Sequence, residues 1–151
     1  MREPSEGTCP QHGTKAESNE GAYTMYHGTS LSAARQILRF GFRPSKLGKL
    51  GKGVYLTCNF RKAAFHADVP NRQGQAVILQ LRVRIGKAVK TDQLCHPLRM
   101  KWHQAGYDSA WIPANPLTLE SEEHCIWDPR RITVLSIMIP PFMQPPTEPD
   151  K

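Results

Sequence analysis

The chain reads as an α+β protein, a mostly antiparallel sheet with a few helices packed on it. Three observations lead there. Several short runs have the residue types and alternation of strands. Two segments with helical spacing of apolar residues lie early in the chain. The late strands are joined by tight turns, which suit antiparallel neighbours.

The elements follow in order. Tyr23-Thr24-Met25-Tyr26 alternates aromatic and polar side chains and predicts a strand, ending in a turn at His27-Gly28-Thr29-Ser30. Ser30 or Ser32 then caps a helix. Ala33, Ala34, Ile37, Leu38 and Phe40 form its apolar stripe, Arg35 and Arg39 face water, and Gly41 stands where a helix-ending glycine belongs. Val54 to Thr57 is a second strand. Asn59 caps a helix from Phe60 to about Asp68, whose Ala63, Ala64 and Ala67 allow close packing.

Pro70 to Gly74 is a turn. Gln75 to Ile85 is the longest strand. Ala76-Val77-Ile78-Leu79 is apolar on both faces and belongs in the middle of a sheet. Beyond it Leu81, Val83 and Ile85 point inward, with Arg82 and Arg84 outward. Gly86 to Thr91 is an extended basic connection, and His96 to Gln104 a short helix. Tyr107 to Ile112, Glu122 to Trp127 and Ile132 to Ile139 are strands, the last two joined at Asp128-Pro129-Arg130 as a hairpin.

At 151 residues this is one domain, residues 22–139, with room for a single core. Residues 1–21 are polar, lack apolar periodicity and read as a disordered tail. Residues 140–151 carry five prolines and read as an extended tail. The net charge of +7, from 20 basic and 13 acidic residues, favours an anionic partner, although excess charge also keeps small proteins soluble. No signal peptide opens the chain and no apolar run is long enough to span a membrane. The four scattered cysteines lack framework spacing, so the expectation is a soluble, cytoplasmic protein with reduced thiols.

The segment Gly48-Lys49-Leu50-Gly51-Lys52-Gly53-Val54-Tyr55-Leu56-Thr57 carries three glycines and two lysines before a short strand. Glycine permits positive φ and close approach of another molecule. The order is neither a Walker loop nor a dinucleotide fingerprint. A lysine-bearing turn and a lip over a ligand both fit it.

Three polar side chains fall on strands or at their ends: His27, Tyr55 and Glu123. Each has an ordinary reading. A turn histidine is usually solvated, a strand tyrosine usually lies in the core, and Glu123 stands among Glu120 and Glu122 in an acidic cluster. Cys9 with His12, Cys95-His96 and His124-Cys125 lack the spacing of a zinc site, and no metal is expected. Cys58 reads as an inert buried thiol. Trp102, Trp111 and Trp127 with the surplus arginines could stack on single-stranded RNA, but core packing accounts for the tryptophans better.

Taken together, Tyr26-His27-Gly28-Thr29, then Leu50-Gly51-Lys52-Gly53-Val54-Tyr55-Leu56, then Glu123-His124-Cys125-Ile126-Trp127-Asp128 resemble the histidine, tyrosine and glutamate motifs of the poly(ADP-ribose) polymerase catalytic domain, in the same order. The glutamate register admits a slip to Glu122. Gly106-Tyr107-Asp108-Ser109-Ala110-Trp111 and Trp127-Asp128-Pro129-Arg130-Arg131-Ile132 further resemble the grass carp reovirus-induced family, small interferon-inducible antiviral proteins of fish.

The resemblance implies a compact ADP-ribosyltransferase fold with a split sheet, and NAD as substrate. By it, Gly28 pairs its backbone with the nicotinamide carboxamide and His27 bonds the adenosine ribose, with Thr29 beside them. Tyr55 packs on the nicotinamide ring and Glu123 bonds the nicotinamide ribose. Two positions depart from the polymerases: the counterpart of a carboxamide-binding serine reads as Ala63, and that of a second stacking tyrosine as His66. The enzyme reading is transfer of a single ADP-ribose to an unknown protein acceptor, without activation by DNA breaks. The alternative is an inactive binding module acting through protein or RNA partners.

Overall fold

The computed structural model describes residues 21–67, 74–91, 96–117 and 121–139. The expected tails, the Pro70 to Gln73 part of the turn, Cys9, His12 and Cys95 lie outside them. Among the described residues, two α-helices and two sheets give the α+β architecture, and the pairing is mostly antiparallel. One sheet has three strands in the order β1 (Ala22–Ser30), β3 (Ala76–Arg84), β7 (Ile132–Met138). The other has four, in the order β2 (Val54–Leu56), β6 (Glu123–Ile126), β5 (Ser109–Ile112), β4 (Ala88–Lys90).

β3 is central, as its doubly apolar run requires: Val77, Ile78, Leu79, Leu81 and Val83 are all fully buried. Arg82 and Arg84 alternate outward as expected. Helix α1 (Leu31–Phe40) is capped by Ser30, whose hydroxyl accepts from Ala33 N–H, and it ends at Gly41 with φ 88°. Helix α2 (Phe60–Ala67) is capped by Asn59, whose side chain accepts from Lys62 N–H over 3.0 Å. Ala63, Ala64 and Ala67 pack against Tyr26 and Ile78. No helix of the described residues is long and apolar enough to cross a membrane.

Several expectations are corrected. His27 to Ser30 is not a turn: β1 runs straight through it, paired without a break from Ala22↔Arg84 to Ser30↔Ala76. The partner strand β3 is long enough to hold the glycine in register. Leu38 and Phe40 are exposed, so the buried face of α1 is narrower than its apolar stripe. Gly86 to Thr91 contains a strand, β4, which pairs parallel to β5. Residues 97–106 form turns rather than a helix; most of their bonds span three residues, as in Lys101 N–H to Leu98 and Gly106 N–H to His103.

The expected terminal hairpin does not form. β6 pairs with β2 and β5, while β7 crosses to the other sheet and pairs with β3. A short 3₁₀ turn, Pro129–Arg131, capped by the Asp128 carboxylate, makes the crossing. A proline-initiated helical turn cannot close the two-residue loop that a tight hairpin needs.

Candidate functional site

The two sheets meet where β1 touches the end of β2. Tyr26 N–H donates to the Thr57 carbonyl over 2.7 Å, and Thr57 N–H returns to the Tyr26 carbonyl over 3.2 Å. Along an antiparallel strand, residues two apart turn their backbone groups to the same side. Gly28 therefore aims its N–H and C=O the way Tyr26 does, away from β3. Beyond Thr57 the chain leaves β2 and enters α2, so this edge of β1 opens onto a notch.

That notch is a cleft of about 210 Å³ lined by His27, Gly28, Tyr55, Ala63, His66 and Glu123, with Lys62 at its edge. A second, wider cleft of about 660 Å³ shares His27 and Tyr55 with it and includes Thr29, Phe40, Phe42 and Arg43. His27, Gly28, Thr29, Tyr55, Ala63, His66 and Glu123 each line one or both. His27 stands between the two. Its ring meets Phe42 edge to face at 5.2 Å, and Nδ1 lies 3.4 Å from the Tyr55 carbonyl.

Local packing holds each group in place. The glycine segment folds over the Tyr55 ring: Leu50 N–H donates to the phenol oxygen over 2.9 Å, and the phenol donates to the Gly51 carbonyl. Gly51 has φ 83°, a left-handed conformation that other residues resist. Burial pushes the Tyr55 phenol well above its ordinary value, so it stays neutral. Trp102 and Arg99 bond the Leu50 and Lys49 carbonyls and tie the loop down from outside.

Gly28 is fixed by α2. A methyl group there would collide with the Ala63 carbonyl oxygen and lie 2.9 Å from the Ala67 nitrogen. Helix and strand thus approach closely enough to admit only glycine. Glu123 opens β6 opposite Ile112. The segment before it is anchored to the start of α2, where Asn59 donates to the Ser121 hydroxyl over 3.0 Å and Lys62 to the Ser121 carbonyl over 3.2 Å.

The two adjacent glutamates lie in different surroundings, Glu123 lining the small cleft and Glu122 not. Glu122 is buried. It accepts from Cys58 N–H and, over 3.1 Å, from the Thr57 hydroxyl, and it lies 3.4 Å from His124 Nε2. Burial alone would raise its pKa; the His124 ring and the Cys58 and Thr57 donors hold it below the usual carboxylate value.

Sequence reasoning missed this cluster. Cys58, Glu122 and His124 bring their ligand atoms within 4.8 Å of one another. The available signal was the Glu-x-His alternation, which puts both side chains on one face of a strand. Cys58 is disulfide-bonded, which corrects the expectation of reduced thiols; Cys125 is free and buried. Trp102 and Trp111 are core residues. Trp127 lies just past β6, stacked on His103 at 3.7 Å with the Lys52 ammonium 5.3 Å from its ring.

No individually curated protein matches the chain. The model of the poly(ADP-ribose) polymerase catalytic domain matches residues 5–128.

Proposed function

The chain belongs to the poly(ADP-ribose) polymerase catalytic-domain family, and from that membership we propose an NAD-dependent ADP-ribosyltransferase that transfers single ADP-ribose units. Members of this family use NAD as substrate, so ADP-ribosyltransferase-like chemistry is the coarse expectation. The observation that carries the finer reading is the shared cleft of His27, Gly28, Tyr55 and Glu123.

In this reading the nicotinamide enters the smaller cleft. Its carboxamide pairs with the outward N–H and C=O of Gly28 as one more strand residue would, and its ring lies against Tyr55. The adenosine half follows past His27 into the wider cleft. The acceptor nucleophile attacks the ribose carbon that bears nicotinamide. The carbon–nitrogen bond breaks, nicotinamide leaves neutral, and the acceptor's proton passes to solvent. Positive charge builds on the ribose as the bond lengthens. A fixed Glu123 carboxylate helps there more than in the ground state, which is the condition for catalysis. The neutral phenol of Tyr55 offers the pyridinium an aromatic face.

A second reading is favoured by one specific feature. Ala63 presents a methyl group where the polymerases carry a hydroxyl, and His66, if protonated, repels a pyridinium. A binding module that keeps the fold without turnover fits those two residues. The likeness to the interferon-inducible antiviral proteins of fish extends the proposal to cytoplasmic antiviral defence in either case. A protein acceptor or target is preferred over RNA, since Trp102 and Trp111 are buried.

Calorimetry with NAD separates the readings. Binding, followed by label transfer from NAD by wild type but not by Glu123→Gln, supports the enzyme. No heat and no thermal shift at millimolar NAD leaves the binding module.

A further inference from the structure

The cluster of half-buried Cys58 with buried Glu122 and His124 has no part in the reaction above, and its composition is that of a metal site. Cys58 Sγ lies 4.0 Å from His124 Nε2, and His124 Nε2 lies 3.4 Å from Glu122 Oε2. All three ligand atoms fall within 4.8 Å of one another. In a tetrahedral zinc centre, bonds of about 2.0–2.3 Å put neighbouring donor atoms about 3.3–3.7 Å apart. The observed spacings need only small rotamer adjustments to reach that geometry.

The elements are arranged to hold it. Glu122 and His124 are two residues apart and so share one face of the chain entering β6. Cys58 follows β2, which pairs antiparallel to β6 through Leu56↔His124. The Trp111 ring stacks on the His124 imidazole at 5.7 Å and limits its rotation. Glu122 and His124 are 6% and 2% exposed, and the Cys58 N–H and Thr57 hydroxyl that donate to Glu122 fix its carboxylate beside the imidazole.

We propose that this cluster is a redox-gated zinc site. In the oxidised chain the Cys58 sulfur is committed to its disulfide. A thiol reductant of the glutathione or dithiol class cleaves the S–S bond. Two electrons and two protons pass to the protein sulfurs and the reductant becomes a disulfide. Zinc then displaces the Cys58 proton to solvent and binds thiolate, imidazole and carboxylate, with its fourth position left to water or another donor. The bound ion clamps the β2–α2 junction to the base of β6, directly behind Glu123.

The test uses the full chain, reduced and freed of metal, titrated with cobalt(II) and then zinc under anaerobic conditions. The reduced protein is expected to take up about one ion per chain. It should show a sulfur-to-cobalt charge-transfer band, which zinc abolishes, and its thermal midpoint should rise with zinc. The oxidised protein should show none of this. Cys58→Ser should lose the band, and His124→Gln should weaken zinc by about tenfold or more. Absence of the band in reduced wild type, or its survival in Cys58→Ser, overturns the proposal. Should either variant fail to fold, comparing oxidised with reduced wild type still decides.

Discussion

Glu122 and Glu123 are adjacent in sequence but their side chains meet different surroundings: the first is buried against Cys58, Thr57 and His124, the second lines the cleft with His27 and Tyr55. Their substitutions should therefore separate. Glu123→Gln is expected to lower ADP-ribose transfer by about 10²–10³-fold while leaving the thermal midpoint near wild type. Glu122→Gln is expected to cost about 1–3 kcal/mol of stability, because buried donors lose their charged acceptor. Thermal denaturation and label transfer, run on both variants, check the pair.

Tyr55→Phe keeps the ring and removes the hydroxyl that Leu50 and Gly51 share. The glycine segment should loosen while the aromatic face of the cleft survives. The expected loss is about 1–3 kcal/mol. Amide exchange measured by mass spectrometry should quicken over residues 48–53 before it changes in β3.

Ala63→Ser should strengthen NAD binding. Ala63 is buried, lines the small cleft and sits beside Gly28. On the proposed reading, an added hydroxyl there gives the carboxamide one more hydrogen-bond partner. One such bond is worth about 0.5–1.5 kcal/mol, or about two- to tenfold in affinity. Calorimetry against wild type measures it.

Gly28→Ala and Gly41→Ala should differ. A methyl at Gly28 meets the backbone of α2, whereas one at Gly41 meets nothing and suffers only from φ 88°. The first should cost about 3 kcal/mol, since backbone must shift, and the second about 1–2 kcal/mol. Chemical denaturation of the two variants gives the comparison.

Stability should fall at alkaline pH. Burial pushes the Cys125 thiol from 9.0 up to about 12. Between those values the unfolded chain loses this proton and the folded chain keeps it. Fewer protons bound in the unfolded state means that stability decreases as pH rises. Each unit of the interval is worth about 1.4 kcal/mol. The Tyr55 phenol acts in the same direction at higher pH. Urea denaturation at pH 8, 9 and 10 should show falling midpoints from pH 9 upward, and Cys125→Ala should flatten part of that fall.

What could be read along the chain was what neighbouring residues decide. The apolar run from Val77 to Leu79 announced a central strand, and Ser30, Asn59 and Gly41 announced helix ends. Motif order singled out His27, Tyr55 and Glu123, which line one cleft. What escaped depends on pairing at a distance. Nothing between Glu123 and Met138 says that β6 and β7 belong to different sheets, because β7 finds its partner far back in β3 while β6 lies between β2 and β5. β4 is only three residues long and pairs parallel, so it left no alternation to detect. The Cys58–Glu122–His124 cluster needed the β2–β6 register before its members could be seen as neighbours.

The closeness of α2 to β1 bears on how relatives of this chain are judged. Steric fit alone demands glycine at position 28, whether or not a nicotinamide ever pairs there. A descendant that had abandoned turnover would still keep it, for the sake of the helix resting on it. Counting that glycine as a mark of living enzymes would sort such descendants into the wrong class.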